Sequence, residues 1–182
     1  MTAVIVIVAV VVLVALWLVS AQRKLVSADE FCKNSMSQIG VQQNSRWDAL
    51  TALAELTKGY SEHEYKTLMD VIAQRTAIGR DSSAADAAAQ EGRIAEAFRQ
   101  INVVAEQYPD LKANQTYVKT MDEVGRYENQ VRLSRMTYND TVTKFNRLVR
   151  MFPDSIAASI FGFAAKDYLA EPSGKTEMPS MK

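Results

Sequence analysis

Residues 114–153 read NQTYVKTMDEVGRYENQVRLSRMTYNDTVTKFNRLVRMFP. Positions 117, 121, 124, 128, 131, 135, 138, 142, 145, 149 and 152 recur in alternating steps of four and three, and nine of these eleven are apolar or tyrosine. A 3.5-residue period of this kind belongs to a long helix packed along others in a coiled-coil-like seam. Asn114 is placed as its N-cap, and Pro153 closes it after Phe152. The two exceptions, Glu128 and Arg135, fall on positions that the period buries. They mark either a site for chemistry or a polar layer that fixes helix register.

Outward toward the amino terminus, a second seam runs through Ala87, Glu91, Ile94, Phe98, Ile101, Ala105 and Tyr108, and Tyr-Pro-Asp at 108–110 ends it. Before that, Tyr65, Leu68, Met69, Ile72 and Thr76 mark one face of a shorter helix that fades at Gly79-Arg80-Asp81-Ser82-Ser83. Ser61 with Glu64 three residues on is a capping box for its start, and Gly59 is the stop of the helix before it. That first helix carries Met36, Ile39, Trp47, Leu50, Leu53 and Ala54, with Gln43 in the gap of the stripe. Gly40, Gly92 and Gly125 fall inside predicted helices, where each costs ~1 kcal/mol against alanine. They read either as close helix crossings or as exposed positions.

The chain opens MTAVIVIVAVVVLVALWLVSAQRK, almost wholly Val, Ile, Leu and Ala from Ala3 to Val19. With its flanks this reaches the ~20 residues that a helix needs to cross ~30 Å of hydrocarbon, and a lone segment satisfies its backbone in lipid only as a helix. Trp17 falls at the interface, where indoles collect. A cleaved signal peptide is the weaker reading: no Lys or Arg precedes the apolar run, and the run exceeds the ~7–15 residues usual for such signals. No proline interrupts Gln22 to Lys58, so the membrane helix is expected to run straight into the first soluble one. Arg23, Lys24 and Lys33 follow the span, which by the positive-inside rule puts the rest of the chain in the cytoplasm.

After Pro153 comes DSIAASIFGFAAKDYL, a short helix presenting Ile156, Ile160, Phe161 and Phe163. It reads either as a lid on one end of the bundle or as a surface that docks on a neighbour or on the membrane interface. A Pro/Gly/Ser/Lys tail follows, and 170–182 are expected to be disordered. The organisation is therefore all-α: a transmembrane anchor (1–22), an antiparallel four-helix up-and-down bundle ending in a short helix (23–169), and the tail.

The segments SQIGVQQNSRWDALTALAELTKGYSEHEYKTLMDVIAQR (37–75) and YPDLKANQTYVKTMDEVGRYENQVRLSRMTYNDTVTKFNRLVRMFPDSIAASIFGF (108–163) strongly resemble the LemA family of bacterial membrane-anchored proteins. The most specific pieces are KGYSEHE, YPDLKAN, Glu128-Asn129, Tyr138-Asn139, Phe145-Asn146, FP and FGF, in the family's order and spacing. The sequence departs from the family's pattern at Thr51, often proline, at Gln130, often basic, and at Phe145, usually tyrosine. The resemblance implies a membrane helix followed by a bundle of bromodomain-like four-helix type on the cytoplasmic side. It implies no established enzymatic activity and offers no catalytic residue to carry over.

The residues themselves exclude several chemistries. Lys+Arg and Asp+Glu are both 21, so the basic footprint of a nucleic-acid binder is absent. A di-iron bundle needs two Glu-x-x-His motifs and zinc a nitrogen- or sulfur-rich set, but His63 and Cys32 are the only residues of their kinds. No glycine-rich phosphate loop is present. No cofactor is therefore expected. The polar seam of Gln43, Glu91, Glu128 and Arg135 remains, with Glu91–Arg135 the expected intrachain pair. Two functions follow. One is a non-enzymatic, single-pass scaffold or interaction protein in the cytoplasmic membrane, partnered by lipid, by copies of itself and by an unidentified membrane protein. The other is a membrane-tethered sensor or enzyme with a polar ligand pocket around Glu91, Glu128 and Arg135.

Overall fold

The computed structural model describes residues 1–170, so that from residue 171 on the expected disordered tail lies outside the described residues. Among the described residues the chain forms six helices and no strand: α1 Thr2–Thr57, α2 Glu62–Ile72, α3 Ala84–Gln107, α4 Pro109–Ala113, α5 Gln115–Arg150 and α6 Asp154–Phe161. α1 is continuous over its 56 residues, about 84 Å at ~1.5 Å per residue. Its opening 18-residue apolar window is wholly unburied and is a candidate membrane span. From Ala21 onward the same helix turns one face into the bundle.

α1 rises away from the candidate span, α2 returns along it, α3 rises again, and α5 descends the whole length of the bundle. The pairing of α5 with α1 is the most extensive in the molecule, and Tyr138, Val142 and Phe145 meet Cys32, Met36 and Ile39. The large core lies at the far end, where Trp47, Leu50 and Leu53 meet Leu68, Ile94, Ile101 and Val124. A small third core closes the end nearest the span: Ala21 and Leu25 of α1 with Ala157 and Ala158 of α6, flanked by Trp17, Leu18, Leu148 and Val149.

Local chemistry sets the boundaries. Ser61 caps α2 by accepting from Glu64 N at 3.3 Å, which is half of the expected capping box. The complete box is at α3, where Ser83 and Asp86 satisfy each other's backbone N–H groups. Asp86 is held below the ordinary carboxylate pKa by those Ser83 hydrogen bonds. α2 stops at Ile72, earlier than its stripe implied, because residues 73–83 leave the helix and run back along α1. There Gln90 grips the Thr76 backbone through both amide atoms, accepting at 3.2 Å and donating at 2.6 Å.

Ile78 of that segment packs directly on Gly40. A Cβ at Gly40 would collide with the Ile78 carbonyl oxygen, and the carbonyl carbon would lie at 2.9 Å. Gly40 is thus a close approach, whereas Gly92 and Gly125 face open space.

Candidate functional site

The polar seam is organised by Arg46, a residue that the sequence reading passed over. Arg46 is 2 % exposed. It ion-pairs through Nη1 with Glu91 Oε1 of α3, and its Nη2 lies 3.5 Å from Glu128 Oε1 of α5. Its guanidinium stands 5.6 Å from the Phe98 ring centroid. Gln43, one turn earlier, donates to Ala87 O at 3.0 Å and to Glu91 Oε2 at 3.2 Å. One arginine therefore ties α1 to α3 and α5. Glu91 is mostly covered, but the Glu128 side chain is 58 % exposed, so the second arm of the node faces solvent.

The expected Glu91–Arg135 pair does not form. Arg135 lies eleven residues before Asn146 on a helix that descends toward the span, well away from the level of Glu91. Its guanidinium donates instead to the backbone carbonyl of Ala170. Gln43, Glu91 and Glu128 share one node and Arg135 is at another. Two surface depressions lie between α2 and α3, one around Leu68, Gln100 and Val104 and one around Val71, Ala89 and Gly92; neither is lined by a seam residue. Among the described residues no group of three His, Cys, Asp or Glu side chains is placed to hold a metal ion.

Arg135 belongs to a second site. Beyond α6, residues 163–170 leave the helix and run antiparallel to α5 as an extended strap. Asn146 donates to Lys166 O at 2.9 Å and accepts from Lys166 N at 2.8 Å; Asn139 does the same to Leu169, at 2.9 Å each way. Tyr138 adds a hydrogen bond to Asp167 O at 3.2 Å. The spacing has a simple origin. Seven residues of α5 advance ~10.5 Å, and three residues of extended chain advance ~10 Å, so asparagines a heptad apart meet every third strap residue. Phe163, Lys166 and Leu169 accordingly face inward. Lys166 also reaches across to Asp29 of α1 at 2.8 Å, and Lys33 approaches the same carboxylate at 3.2 Å. Burial pushes the Asp29 carboxyl up, but the hydrogen bonds and charges of the two lysines outweigh it and hold the group below its ordinary value.

The four residues expected on a docking surface divide. Ile156, Ile160 and Phe161 are exposed, while Phe163 folds back to lie edge-on to Phe145 with ring centroids 6.1 Å apart. Gly162 causes the separation. Its φ of +74° makes a Schellman ending, with Gly162 N–H on Ser159 O at 3.4 Å and Phe163 N–H on Ala158 O at 2.9 Å, and this turns the chain out of α6 onto the bundle. Cys32 is buried, and burial raises its thiol pKa, the opposite of what a nucleophile requires. His63 is exposed in the first turn of α2.

Taken together these features define an all-α bundle built on a helix that continues from a candidate membrane span, with side chains that staple helices and grip extended backbone. The chain belongs to the LemA family, whose family model matches residues 35–182. Protein LemA of Metamycoplasma hominis is 24 % identical over 135 residues, 74 % of this chain and 62 % of that protein. Two proteins of Paramagnetospirillum magneticum, the magnetosome proteins MamQ 1 and MamQ 2, are each 29 % identical over 87 residues, covering 47 % of this chain and 32 % of theirs. The chain thus spans less than two thirds of the length of the curated relatives it matches.

Proposed function

We propose that the chain is a non-enzymatic, membrane-anchored helical scaffold that self-associates at the cytoplasmic membrane, with its bundle on the cytoplasmic side. One observation carries the reading: α1 passes without a break from an unburied apolar span into the bundle core. A stiff junction of that kind sets the tilt and rotation of the bundle relative to the bilayer, which suits repeated contacts between neighbours in one plane. The exposed Arg23 and Lys24 favour the cytoplasmic side, and the family is membrane-associated. The seam supports a structural role, since Arg46 spends its charge on two carboxylates of its own bundle.

Two measurements test it. Reconstituted full-length chain should run as an oligomer by mass photometry in lipid nanodiscs, and a strictly monomeric population at every loading would reject self-association. A cysteine at exposed Val103 should react with an impermeant maleimide only after the inner membrane is opened. Reaction from the outer side of that membrane would reverse the orientation.

The second reading, a tethered sensor or enzyme, draws on three buried atoms within one turn of α1 that have no protein partner: Gln43 Oε1, Arg46 Nε and Trp47 Nε1. A small polar ligand seated there would raise the melting temperature of the wild type and leave that of Gln43→Leu unchanged.

A further inference from the structure

The antiparallel pairing of α1 and α5 fixes where α5 ends. Tyr138, Val142 and Phe145 stand against Met36 and Cys32, and Leu148 and Val149 stand against Leu25 and Ala21. One more turn brings the chain to Met151 and Phe152, and then α6 crosses α1 at Ala21 and Leu25, with Trp17 and Leu18 on the rim of the same small core. From Leu25 to Trp17 is about 12 Å along the helix. Trp17 closes the apolar span, and a bilayer of ~40–45 Å with ~30 Å of hydrocarbon leaves about 5–7 Å for each headgroup layer, so Ala21, about 6 Å along, lies within that layer and Leu25 just beyond it.

Outside the span, exposed large apolar side chains are densest at this level. Phe152 is 80 % exposed and Ile160 61 %, and Met151, Ile156 and Phe161 are exposed beside them. Ile156 and Ile160 stand four apart on α6, away from the face that Ala157 and Ala158 bury, and Phe152 lies in the turn just before that helix. Arg147 and Arg150 in the last turn of α5, and Arg23 and Lys24 on α1, are also exposed. Asp154, half-buried, is the one carboxylate of α6.

We propose that the α5–α6 corner is a second foothold on the bilayer: Phe152, Ile156 and Ile160 enter the interfacial layer, and the four basic side chains meet anionic headgroups. An apolar stripe bordered by cations is the pattern of a helix lying in a membrane interface. Lipid is the occupant because the buried face of α6 packs on Ala21 and Leu25 with Trp17 and Leu18 of the span at the edge of the same small core, which sets the exposed stripe at the level where the candidate span ends. The inference rests on the membrane-anchored reading above. Its consequence is that the bundle is held at two points and does not swivel about α1.

The test uses full-length chain with its native Cys32, which is buried and serves as the labelling blank. Single cysteines at Val8, Ile160 and Val103 carry an environment-sensitive fluorophore in vesicles of phosphatidylcholine with phosphatidylglycerol. Lipids spin-labelled near the headgroup should quench Ile160, those labelled deep in the chain should quench Val8, and neither should quench Val103. Aqueous iodide should show the reverse order for Ile160 and Val103. Adding Phe152→Glu to an Ile156→Cys chain should abolish lipid quenching at 156 while leaving Val8 quenched. Val8 quenched with Ile160 open to iodide overturns the foothold and leaves the anchor standing. Ile160 shielded from both quenchers means that protein covers the stripe, which also overturns it. Val8 unquenched removes the anchor, and the foothold with it.

Discussion

At the scale of single residues, Arg46 and Gly40 bear consequences that their neighbours do not. A buried charge left without its partner costs ~3–5 kcal/mol, whereas an exposed ion pair is worth ~0–1 kcal/mol. Arg46→Ala should therefore destabilise the chain by about 3–5 kcal/mol, and a double-mutant cycle should find strong coupling of Arg46 to Glu91. Coupling of Arg46 to Glu128 should be under ~1 kcal/mol, and Glu91 to Arg135 should show none; urea unfolding of the single and double variants measures all three. Gly40→Ala must displace the Ile78 backbone, an overpacking of ~1–3 kcal/mol. Gly125→Ala meets nothing and should stabilise α5 by ~0.5–1 kcal/mol, so equal melting shifts for the two would refute the close-approach account. Arg46 was legible in principle: 39, 43, 46, 50 and 53 step by four and three, and the arginine is in that frame. It escaped because a charge reads as a break in an apolar stripe. Its two acid partners lie 45 and 82 positions on, distances over which helical periodicity carries no information.

At the scale of elements, the bundle is completed by two extended segments as well as by helices. Residues 73–83 and 163–170 each run along the bundle, and amide side chains of α3 and α5 hold their backbones: Gln90, Asn139 and Asn146. Removing one such amide strands a backbone donor and acceptor, ~1–3 kcal/mol for a covered pair. Asn146→Ala should speed hydrogen exchange at Lys166 and Leu169 far more than at α5 amides, and Asn146→Asp, which keeps the acceptor, should fall between. Uniform loosening of the whole domain would contradict a locally docked strap. Asp29 adds a pH dependence. Its folded pKa is lowered, so its contribution is complete above the ordinary 3.8 and disappears as pH falls through the lower folded value. Wild type should accordingly exceed Asp29→Asn in stability at neutral pH, and the gap should close only below that value in acid titrations followed by circular dichroism. The long helices α3 and α5 were readable because their periods and stops are written locally, as with Asn114 and Pro153. The strap was not. Its contacts are made to backbone atoms, which every sequence supplies, and its only signature is the aromatic–asparagine pair repeated at 138–139 and 145–146, where the aromatic turns inward and the asparagine reaches outward to the strap.

At the scale of the whole molecule, the first sixteen residues are exposed and share no core with the rest, whereas Trp17, Leu18, Ala21 and Leu25 tie the following part of α1 into the bundle. Stability and assembly should therefore separate along the chain. Deleting residues 2–16 removes no buried contact, so a chain beginning at Trp17 should keep its helical circular dichroism and the urea midpoint of the full-length protein in detergent. Self-association should respond differently. A bilayer confines the full-length chain to a plane, fixes its long axis and raises the local concentration that one copy presents to the next, and gains of this kind reach ~10²–10⁴-fold in tethered systems without any new contact. The shortened chain has the same bundle faces but must bring copies together from free solution, paying translational and rotational freedom that the membrane removes in advance. It should sediment as a monomer at bulk concentrations where the proposed self-association makes the full-length chain oligomeric in nanodiscs or vesicles. Restoring an unrelated apolar helix in register ahead of Trp17 should recover the oligomer. Inserting two residues between Ser20 and Ala21 should weaken it, because each added residue rotates the bundle by ~100° relative to the span. If the soluble chain assembles as readily as the anchored one, association resides in the bundle faces alone. The unbroken α1 would then serve as a tether and not as the element that sets the geometry of assembly.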